Sequence, residues 1–387
     1  MRAAAQASSP LVPRGVGSSP YAAWAGGKGL MVSFEHMDAI LEVDQQRHLV
    51  RVQPGVVWQN LIDYLGPFHL MPQVYPSSGA VSTVGGFVAQ GGAGIGSFQY
   101  GWVEQTVEAL RLIDAESEAV DLDHASIQLA VGTEGRTGLL SEINLRLQPR
   151  DTMVSLVGLF GDIAQLEQCV SLCAQYQLDV WSISFIDSHA GRVHAGLGRP
   201  RQPFLPPSHH ALLLSFRQGN ELRVADGVRE VIAAAGGLVS AEAALHEQWL
   251  GRFMGLQTLH TTPLPMQYRL PAGQIARLVA AINPETRMKL GFEGVAMNAG
   301  SAVVLRFFLL RRHYSNSENV DYMRELTPLV RELGGAPYGT GAFFLEDALA
   351  VYGADRLEAF HRFRADHDPN DLLNPGKAFR SSVVHAG

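Results

Sequence analysis

The segment from Pro76 to Gly101 restricts the fold of this chain more than any other part of the sequence. It reads PSSGAVSTVGGFVAQGGAGIGSFQYG and holds eight glycines, where average usage would give about two. Val, Phe, Ile and Tyr alternate with the glycines, so the segment is expected to be packed rather than to act as a linker. Because glycine tolerates positive φ and close approach, the pattern indicates either a main-chain cradle for a large cofactor or a buried packing region.

Composition excludes several classes of protein. The chain has 387 residues, 47% of them hydrophobic, which suits a soluble protein of two domains with separate cores. Its net charge of -7 argues against a nucleic-acid platform. No apolar run approaches the roughly 20 residues that cross a bilayer, and no secretory h-region begins the chain. Two cysteines, Cys169 and Cys173, make no disulfide framework, so a cytoplasmic location is predicted. Their spacing fits one face of a helix and favours core packing over a metal or redox pair.

The order of predicted elements indicates an α+β protein whose character changes after Arg150. Before that residue, short β-type runs and turns surround the glycine-rich segment. After it, strand and helix patterns alternate, beginning with a helix at residues 162–177 that Asp162 is placed to cap. We therefore predict domains at residues 1–150 and 151–365, followed by a C-terminal segment at 366–387.

Three further loops carry residues suited to an anion or a nucleotide. Residues 13–19, PRGVGSS, can form an anion nest or a plain surface turn. Residues 132–138, GTEGRTG, read as a tight turn before a strand, which an ordinary hairpin would also explain. Residues 372–377, LLNPGK, are explained either as a ligand-binding segment or as a capped end of the chain. The Rossmann pattern is excluded because no helix signal follows the first GxG, and the sequence contains no Walker A pattern.

In their order along the chain, these motifs resemble the FAD-binding domain of the p-cresol methylhydroxylase/vanillyl-alcohol oxidase superfamily. PRGxGSS comes first, followed by RVQPGV, the glycine-rich segment, GTEGxxGLLSEI and DPNDLLNPGK. Within the superfamily, the chain looks most like FAD-linked oxidoreductases of the glycolate-oxidase/D-lactate-dehydrogenase type. The resemblance covers residues 10–150 and 366–377. It implies a two-domain α+β flavoprotein, with a PCMH-type FAD-binding domain and an α+β cap domain that holds substrate.

The resemblance also implies which residues contact the cofactor. The loop around the FAD pyrophosphate is matched by Arg14, Gly15, Val16, Gly17, Ser18 and Ser19. The stretch that lines the cofactor near the flavin is matched by Pro76, Ser77, Ser78, Gly79, Thr83, Val84, Gly85 and Gly86. The next turn is matched by Gly92, Gly94, Gly96, Ser97, Tyr100 and Gly101. Contacts to the adenine and ribitol side are matched by Gly132, Thr133, Glu134, Gly135, Gly138, Leu139 and Ile143. Asn374 matches a residue that returns to the flavin ring.

Three departures from the family pattern shape these expectations. Members with covalent flavin carry a His in the first loop or a Cys in the glycine-rich segment; neither stands there, so we expect non-covalent FAD. Metal-dependent relatives show paired cap histidines and an EHG stretch, where this chain reads APYGTG at residues 336–341, so we expect no metal. The family also places a strand–helix–strand unit before the first loop. Because only residues 1–12 precede it, we expect Met1 to be internal to a longer protein.

The implied reaction is hydride transfer to FAD from a small hydroxy acid or alcohol. Such a reaction needs a base for the hydroxyl proton and, for an acid, a cation for the carboxylate. His260 is the candidate base because its immediate neighbours are polar although the surrounding stretch is apolar. The alternative is that His260 has only a structural role. Arg306 and Arg269 are the candidate cations. Arg306 interrupts the apolar run 302–310, as an outward-facing strand residue also would.

The expected partners are a small-molecule substrate and an unidentified electron acceptor, with no nucleic acid and no membrane span. The sequence is compatible with a homo-oligomer. The alternative function is a non-catalytic or degenerate FAD-binding subunit of a larger redox complex. The missing metal motif and the short stretch before the first loop favour that alternative.

Overall fold

The computed structural model describes residues 1–25, 29–196, 208–218, 221–240, 266–309 and 316–380. Its strands are, in chain order, β1 (Leu11–Arg14), β2 (Leu30–Ser33), β3 (Ile40–Asp44), β4 (Leu49–Val52), β5 (Leu70–Pro72), β6 (Val107–Ile113), β7 (Ala119–Asp123), β8 (Leu139–Pro149), β9 (Met153–Phe160), β10 (Ser182–Ile186), β11 (His210–Arg217), β12 (Leu238–Val239), β13 (Gln267–Pro271), β14 (Leu290–Met297), β15 (Ala302–Leu309) and β16 (Ala336–Pro337).

The α-helices of the same residues are α1 (Arg2–Gln6), α2 (Trp58–Leu65), α3 (Val84–Gln90), α4 (Ser97–Tyr100), α5 (Ile163–Gln175), α6 (Ser188–Gly196), α7 (Glu221–Ala234), α8 (Ile275–Ala281), α9 (Pro284–Lys289), α10 (Asn316–Glu332), α11 (Ala348–Tyr352) and α12 (Ala354–His367). The α+β class is confirmed. Among the described residues, no helix is long and apolar enough to cross a membrane.

The chain forms two compact units. The first contains Met1–Gly92, Trp102–Arg150 and Gly339–Gly387, and the second contains Ala93–Gly101 and Asp151–Tyr338. Residues 93–101 belong to the second unit because α4 packs on β10 and β14. Residues 339–365 belong to the first because α11 and α12 pack together, with Phe360 stacked on Phe379. The domain bounds predicted from sequence differ at these two places and remain a prediction.

The first unit is organised around an antiparallel sheet of order β3-β4-β8-β6-β7, with β5 paired to β8, and a parallel pair β1-β2. Its inward side chains, such as Val50, Leu112 and Ile143, are buried. Ion pairs such as Arg51–Glu142, at 2.8 Å, lie on the other face. One buried and one solvated face is the arrangement that strand alternation predicts for an antiparallel sheet.

The second unit is built on an eight-stranded sheet of order β12-β9-β11-β10-β14-β15-β13-β16. Large side chains such as Phe185, Phe292 and Phe307 are at most 1% exposed. Helices α5 and α7 pack together and contact β9 and β11. The predicted helix at 162–177 is confirmed, with Asp162 accepting a hydrogen bond from Ala164 N at 2.6 Å. Cys169 and Cys173 are both buried on α5.

The glycine-rich segment is partly helical, which the sequence analysis did not predict. Thr83 caps α3 by accepting a hydrogen bond from Gly86 N at 3.2 Å. Val84, Phe87 and Val88 are buried along this short helix. Glycine lowers helix propensity by about 1 kcal/mol per residue relative to alanine, so burial has to stabilise a helix of this composition. The main chain in this window is therefore packed, and it bends at Gly91, where φ is +72°.

Candidate functional site

The loop after β1 packs directly on the glycine-rich segment. A Cβ placed on Gly15 would overlap with Thr83 Oγ1, so no larger residue fits at position 15 without a shift. Thr83 is the same residue that caps α3. Two of the segments matched to cofactor binding, residues 14–19 and 83–86, are therefore in contact within the first unit.

The turn at residues 132–138 packs next to both of these segments, against Pro13 and against the C-terminal end of α3. Gly135 has a φ of +78°, and a Cβ placed on it would overlap with Pro13 Cγ. Glu134 N donates a hydrogen bond to Ala89 O at 2.8 Å, and Gly132 N donates to Val88 O at 3.3 Å. The turn thus joins the end of α3 to the residue that precedes the proposed pyrophosphate loop.

The C-terminal segment completes the cluster. Asn374 N donates to Leu11 O at 2.8 Å, and Leu11 N donates to Leu372 O at 2.7 Å. The Asn374 side chain donates from Nδ2 to Glu134 O at 2.7 Å. Four segments far apart in sequence are thereby brought together in the first unit, as their shared assignment to one cofactor requires.

A buried ionic network holds the C-terminal segment against the turn. Arg136 is fully buried; it contacts Asp371 Oδ1 at 2.8 Å and donates to Leu373 O at 2.7 Å. Arg364 contacts Asp371 and also Asp368, the latter at 3.3 Å. Asp368 in turn accepts a hydrogen bond from Leu373 N at 3.1 Å. The network was not predicted from the sequence, where its signal is one arginine followed by three aspartates in RADHDPND.

Two buried side-chain oxygens at this junction have no hydrogen-bond partner among the described residues: Glu134 Oε2 and Asn374 Oδ1. Glu134 is 7% exposed and Asn374 is 1% exposed. Burial raises the pKa of Glu134 to about 8, against the opposing effects of Gly341 N and Lys377. Leaving buried polar atoms unsatisfied costs about 1–3 kcal/mol each. The residues therefore fit a ligand that brings its own donors and acceptors, as FAD does.

Several predicted cofactor residues also have packing roles. A Cβ on Gly85 would overlap with Pro54, one on Gly92 with Phe87, and one on Gly138 with Leu112. These three glycines are required by the close approach of protein groups. Their contacts with a cofactor remain a prediction.

The remaining matched residues of the first unit lie in turns or in the core. Pro76–Gly79 form a turn in which Gly79 N donates to Pro76 O at 3.0 Å. The Arg14 guanidinium lies over the Trp24 ring at 4.9 Å, and Ser19 O accepts from Trp24 Nε1 at 3.1 Å. The matched residues that are buried include Val84, Thr133, Leu139 and Ile143.

The last part of the glycine-rich segment belongs to the second unit. Gly94 N donates to Ser97 Oγ at 2.9 Å, and Gly96 has a φ of +88°. Tyr100 OH accepts from Arg217 Nη2 at 3.1 Å. Gly94, Gly96, Ser97, Tyr100 and Gly101 are thus separated, by unit, from the other matched residues.

Both predicted cations lie on one face of the second unit's sheet. Arg306 pairs in register with Gln267 on β13 and with Glu293 on β14. Arg269 is two residues from Gln267, so its side chain points to the same face. Arg306 Nη1 lies 3.9 Å from Glu293 Oε1, and the two side chains are 14% and 7% exposed. This face therefore carries buried and partly buried charge opposite the aromatic core.

Tyr338 connects this polar face to the glycine-rich segment. Its main-chain N donates to Gln267 O at 3.0 Å. Its hydroxyl accepts from Ala93 N at 2.5 Å and donates to Ala93 O at 3.3 Å. Burial raises the pKa of Tyr338, so the hydroxyl keeps its proton. From the sequence, Tyr338 was a possible site residue without support; in the structure it positions the start of the 93–97 turn.

Two predictions are not tested by this geometry. His260 lies outside the described residues. The expectation of no metal also remains a prediction. Within the described part of the chain, no three His, Cys, Asp or Glu side chains are grouped so as to hold a metal ion.

Comparisons with known proteins bear on the same regions. Residues 1–123 match the family described as FAD binding domain, and residues 148–378 match FAD linked oxidases, C-terminal domain. The glycolate oxidase subunit GlcD of Bacillus subtilis (strain 168) is 28% identical over 408 residues, covering 96% of this chain and 84% of that protein. The D-2-hydroxyglutarate dehydrogenase of Stutzerimonas stutzeri (strain A1501) is 25% identical over 397 residues, covering 95% and 85%.

A solved structure shows the same fold. The crystal structure of p-cresol methylhydroxylase with substrate bound superposes with a TM-score of 0.77 at 14% sequence identity. The match covers 97% of this chain and 85% of that one. The resemblance inferred from motif order is therefore confirmed at the level of fold, and the FAD-binding PCMH-type architecture is confirmed with it.

Proposed function

This chain belongs to the FAD-linked oxidase family, and on that premise we propose that it oxidises small 2-hydroxy acids to 2-oxo acids. It is an oxidoreductase with FAD as its cofactor. The observation that carries the proposed substrate class is the polar face of the sheet, where Arg306 lies beside Glu293 and Arg269 projects to the same side. The names of relatives, which include glycolate oxidase, D-lactate dehydrogenase and D-2-hydroxyglutarate dehydrogenase, support the same class.

When bound, FAD supplies an acceptor for the hydride that leaves the hydroxyl-bearing carbon. The protein has to hold the substrate carboxylate and remove the hydroxyl proton as the carbonyl forms. Arg306 is suited to the first task because a guanidinium binds a carboxylate through paired donors. Its low exposure strengthens such a contact, since water screens buried charges poorly.

His260 remains the proposed general base. Tyr338 is unsuited to that task, because burial raises the pKa of its hydroxyl and its oxygen is bonded to Ala93. Glu293 lies beside the Arg306 guanidinium, which leaves it better placed to orient that cation than to take a proton. An imidazole is the side chain whose ordinary pKa suits proton removal near neutral pH.

We propose that the residues matched to the family's cofactor site contact FAD, and that FAD is bound non-covalently. Residues 14–19 would hold the pyrophosphate through main-chain N–H groups. Gly132–Gly138 and Asn374 would supply the buried contacts, and the unpartnered side-chain oxygens there support this assignment. We propose that residues 1–150 and 366–387 bind FAD and that residues 151–365 bind the substrate.

A non-catalytic FAD-binding subunit is the second candidate. The observation in its favour is that the similar glycolate oxidase protein of Bacillus subtilis is named as a subunit. A subunit of this kind would bind FAD and still fail to reduce it with substrate. The electron acceptor, the oligomeric state and a cytoplasmic location are likewise proposals.

Steady-state dye reduction tests the proposed substrate class. Purified, FAD-loaded protein is given glycolate, the lactate enantiomers and 2-hydroxyglutarate, each beside a neutral alcohol of the same carbon skeleton. We expect at least one acid to be turned over, with kcat/KM about 10²-fold or more above that of its matched alcohol, because a buried charge pair contributes about 2–5 kcal/mol. Equal turnover of acid and alcohol would contradict the role given to the arginines.

A further inference from the structure

Glu134 is held in an unusual position by its main chain. Its φ is +54°, a left-handed conformation that non-glycine residues seldom adopt. Its N–H is bonded to Ala89 O and its carbonyl accepts from Asn374 Nδ2. With both main-chain groups bonded, the direction of the side chain is fixed into the junction of the turn, β1 and the C-terminal segment.

The carboxyl group of Glu134 faces few compensating charges. Gly341 N hydrogen-bonds to it, and Lys377 is the cation close enough to lower its pKa. The Lys377 ammonium is itself bonded to Ala25 O at 2.9 Å. Tyr21 and Glu134 Oε1 both lie beside Gly339, while Arg136 is directed at Asp371. Oε2 has no hydrogen-bond partner among the described residues.

Electrostatics decides the protonation state of such a group. A carboxylate that is buried with little compensation is costly, so burial raises the pKa of Glu134 to about 8. Near neutral pH the carboxyl group therefore holds its proton and can donate a hydrogen bond. Pro13, which Gly135 contacts, directly precedes the loop proposed for the pyrophosphate. An ionised Glu134 would thus add a negative charge to the turn that packs against the start of this loop, where the anionic pyrophosphate is proposed to bind.

We propose that protonated Glu134 donates a hydrogen bond from Oε2 to an acceptor oxygen of FAD, so that FAD binding requires this proton. The inference rests on FAD as cofactor, which the proposed function shares, and is independent of the substrate. The proposal fixes the direction in which the Kd for FAD changes with pH. As pH rises, Glu134 ionises in the FAD-free protein, and FAD binding must then recapture a proton, so the Kd for FAD rises.

The test is the pH dependence of FAD affinity, measured by fluorescence titration of FAD-free protein. For a group with a pKa of about 8, the Kd should rise about tenfold between about pH 6.5 and about pH 9. Glu134→Gln keeps a donor without a charge, so its Kd should stay level over this range. Glu42→Gln, at an exposed carboxylate on β3, is the matched control and should keep the wild-type rise.

The outcomes separate this inference from the proposed function. A level wild-type profile, or a Glu134→Gln profile as steep as wild type, would overturn it even if 2-hydroxy acids are oxidised. A confirmed profile would stand even if no hydroxy acid is turned over. If Glu134→Gln does not fold, infrared difference spectra of wild type with and without FAD decide the matter. A protonated carboxyl band that shifts on FAD binding is expected, and its absence at neutral pH would refute the proposal.

Discussion

Replacing Arg136 with methionine is expected to lower the free energy of unfolding by about 3–5 kcal/mol. The guanidinium is fully buried and bonded to Asp371 and to Leu373 O, and methionine can fill much of its volume but none of its bonds. The loss would free the segment that carries Asn374, so FAD should also dissociate more readily. Urea unfolding followed by circular dichroism measures the first effect, and FAD retained after gel filtration measures the second.

The matched control for this prediction is Arg111→Met. Arg111 also contacts an aspartate, Asp121 at 2.7 Å, but its side chain is 44% exposed on the solvated face of the sheet. Exposed ion pairs of this kind contribute about 0–1 kcal/mol. If Arg136→Met unfolds at the same urea concentration as Arg111→Met, the network does not hold the C-terminal segment as described.

Replacing Arg306 with methionine is expected to lower kcat/KM for the best 2-hydroxy acid by about 10²-fold or more. The reason is that the carboxylate would lose a buried cation, whereas a neutral alcohol substrate would lose little. The loss should therefore be confined to acids, which a general disturbance of the fold would not produce. Because Glu293 would be left without its neighbouring cation, the double variant Arg306→Met/Glu293→Gln should be compared as well.

Arg324→Met serves as the control, since Arg324 lies on α10 with its side chain 76% exposed. It should leave kcat/KM within about twofold of wild type, as surface substitutions usually have effects within about 0.5 kcal/mol. A loss that is equal for acids and alcohols in Arg306→Met would show that Arg306 acts through structure rather than through carboxylate binding.

Local chemistry explains what could be predicted from the sequence. Loops at residues 14–19 and 132–138 were predicted because glycine at Gly17 and Gly135 is read directly as a turn, and both residues have positive φ. Asp162 was predicted as a helix cap from side-chain type alone. The order of such local signals was enough to indicate the family and, through it, the fold.

Features that depend on tertiary burial were not predicted. Helix α3 forms in a glycine-rich stretch because Val84 and Phe87 are buried, which no local propensity reveals. The ionic network joins Arg136 to Asp371 across 235 positions of sequence. Likewise, the raised pKa of Glu134 comes from the segments packed around it, since an exposed glutamate in the same turn would ionise normally.

Anaerobic reduction of the bound flavin tests the central claim most directly. FAD-loaded protein is mixed without oxygen with a 2-hydroxy acid, and the visible absorbance of oxidised flavin is followed while the 2-oxo acid is quantified. The account predicts that the absorbance bleaches and that one 2-oxo acid appears for each FAD reduced. Protein that binds FAD and keeps its absorbance with every 2-hydroxy acid tried, yet is bleached by dithionite, would contradict it.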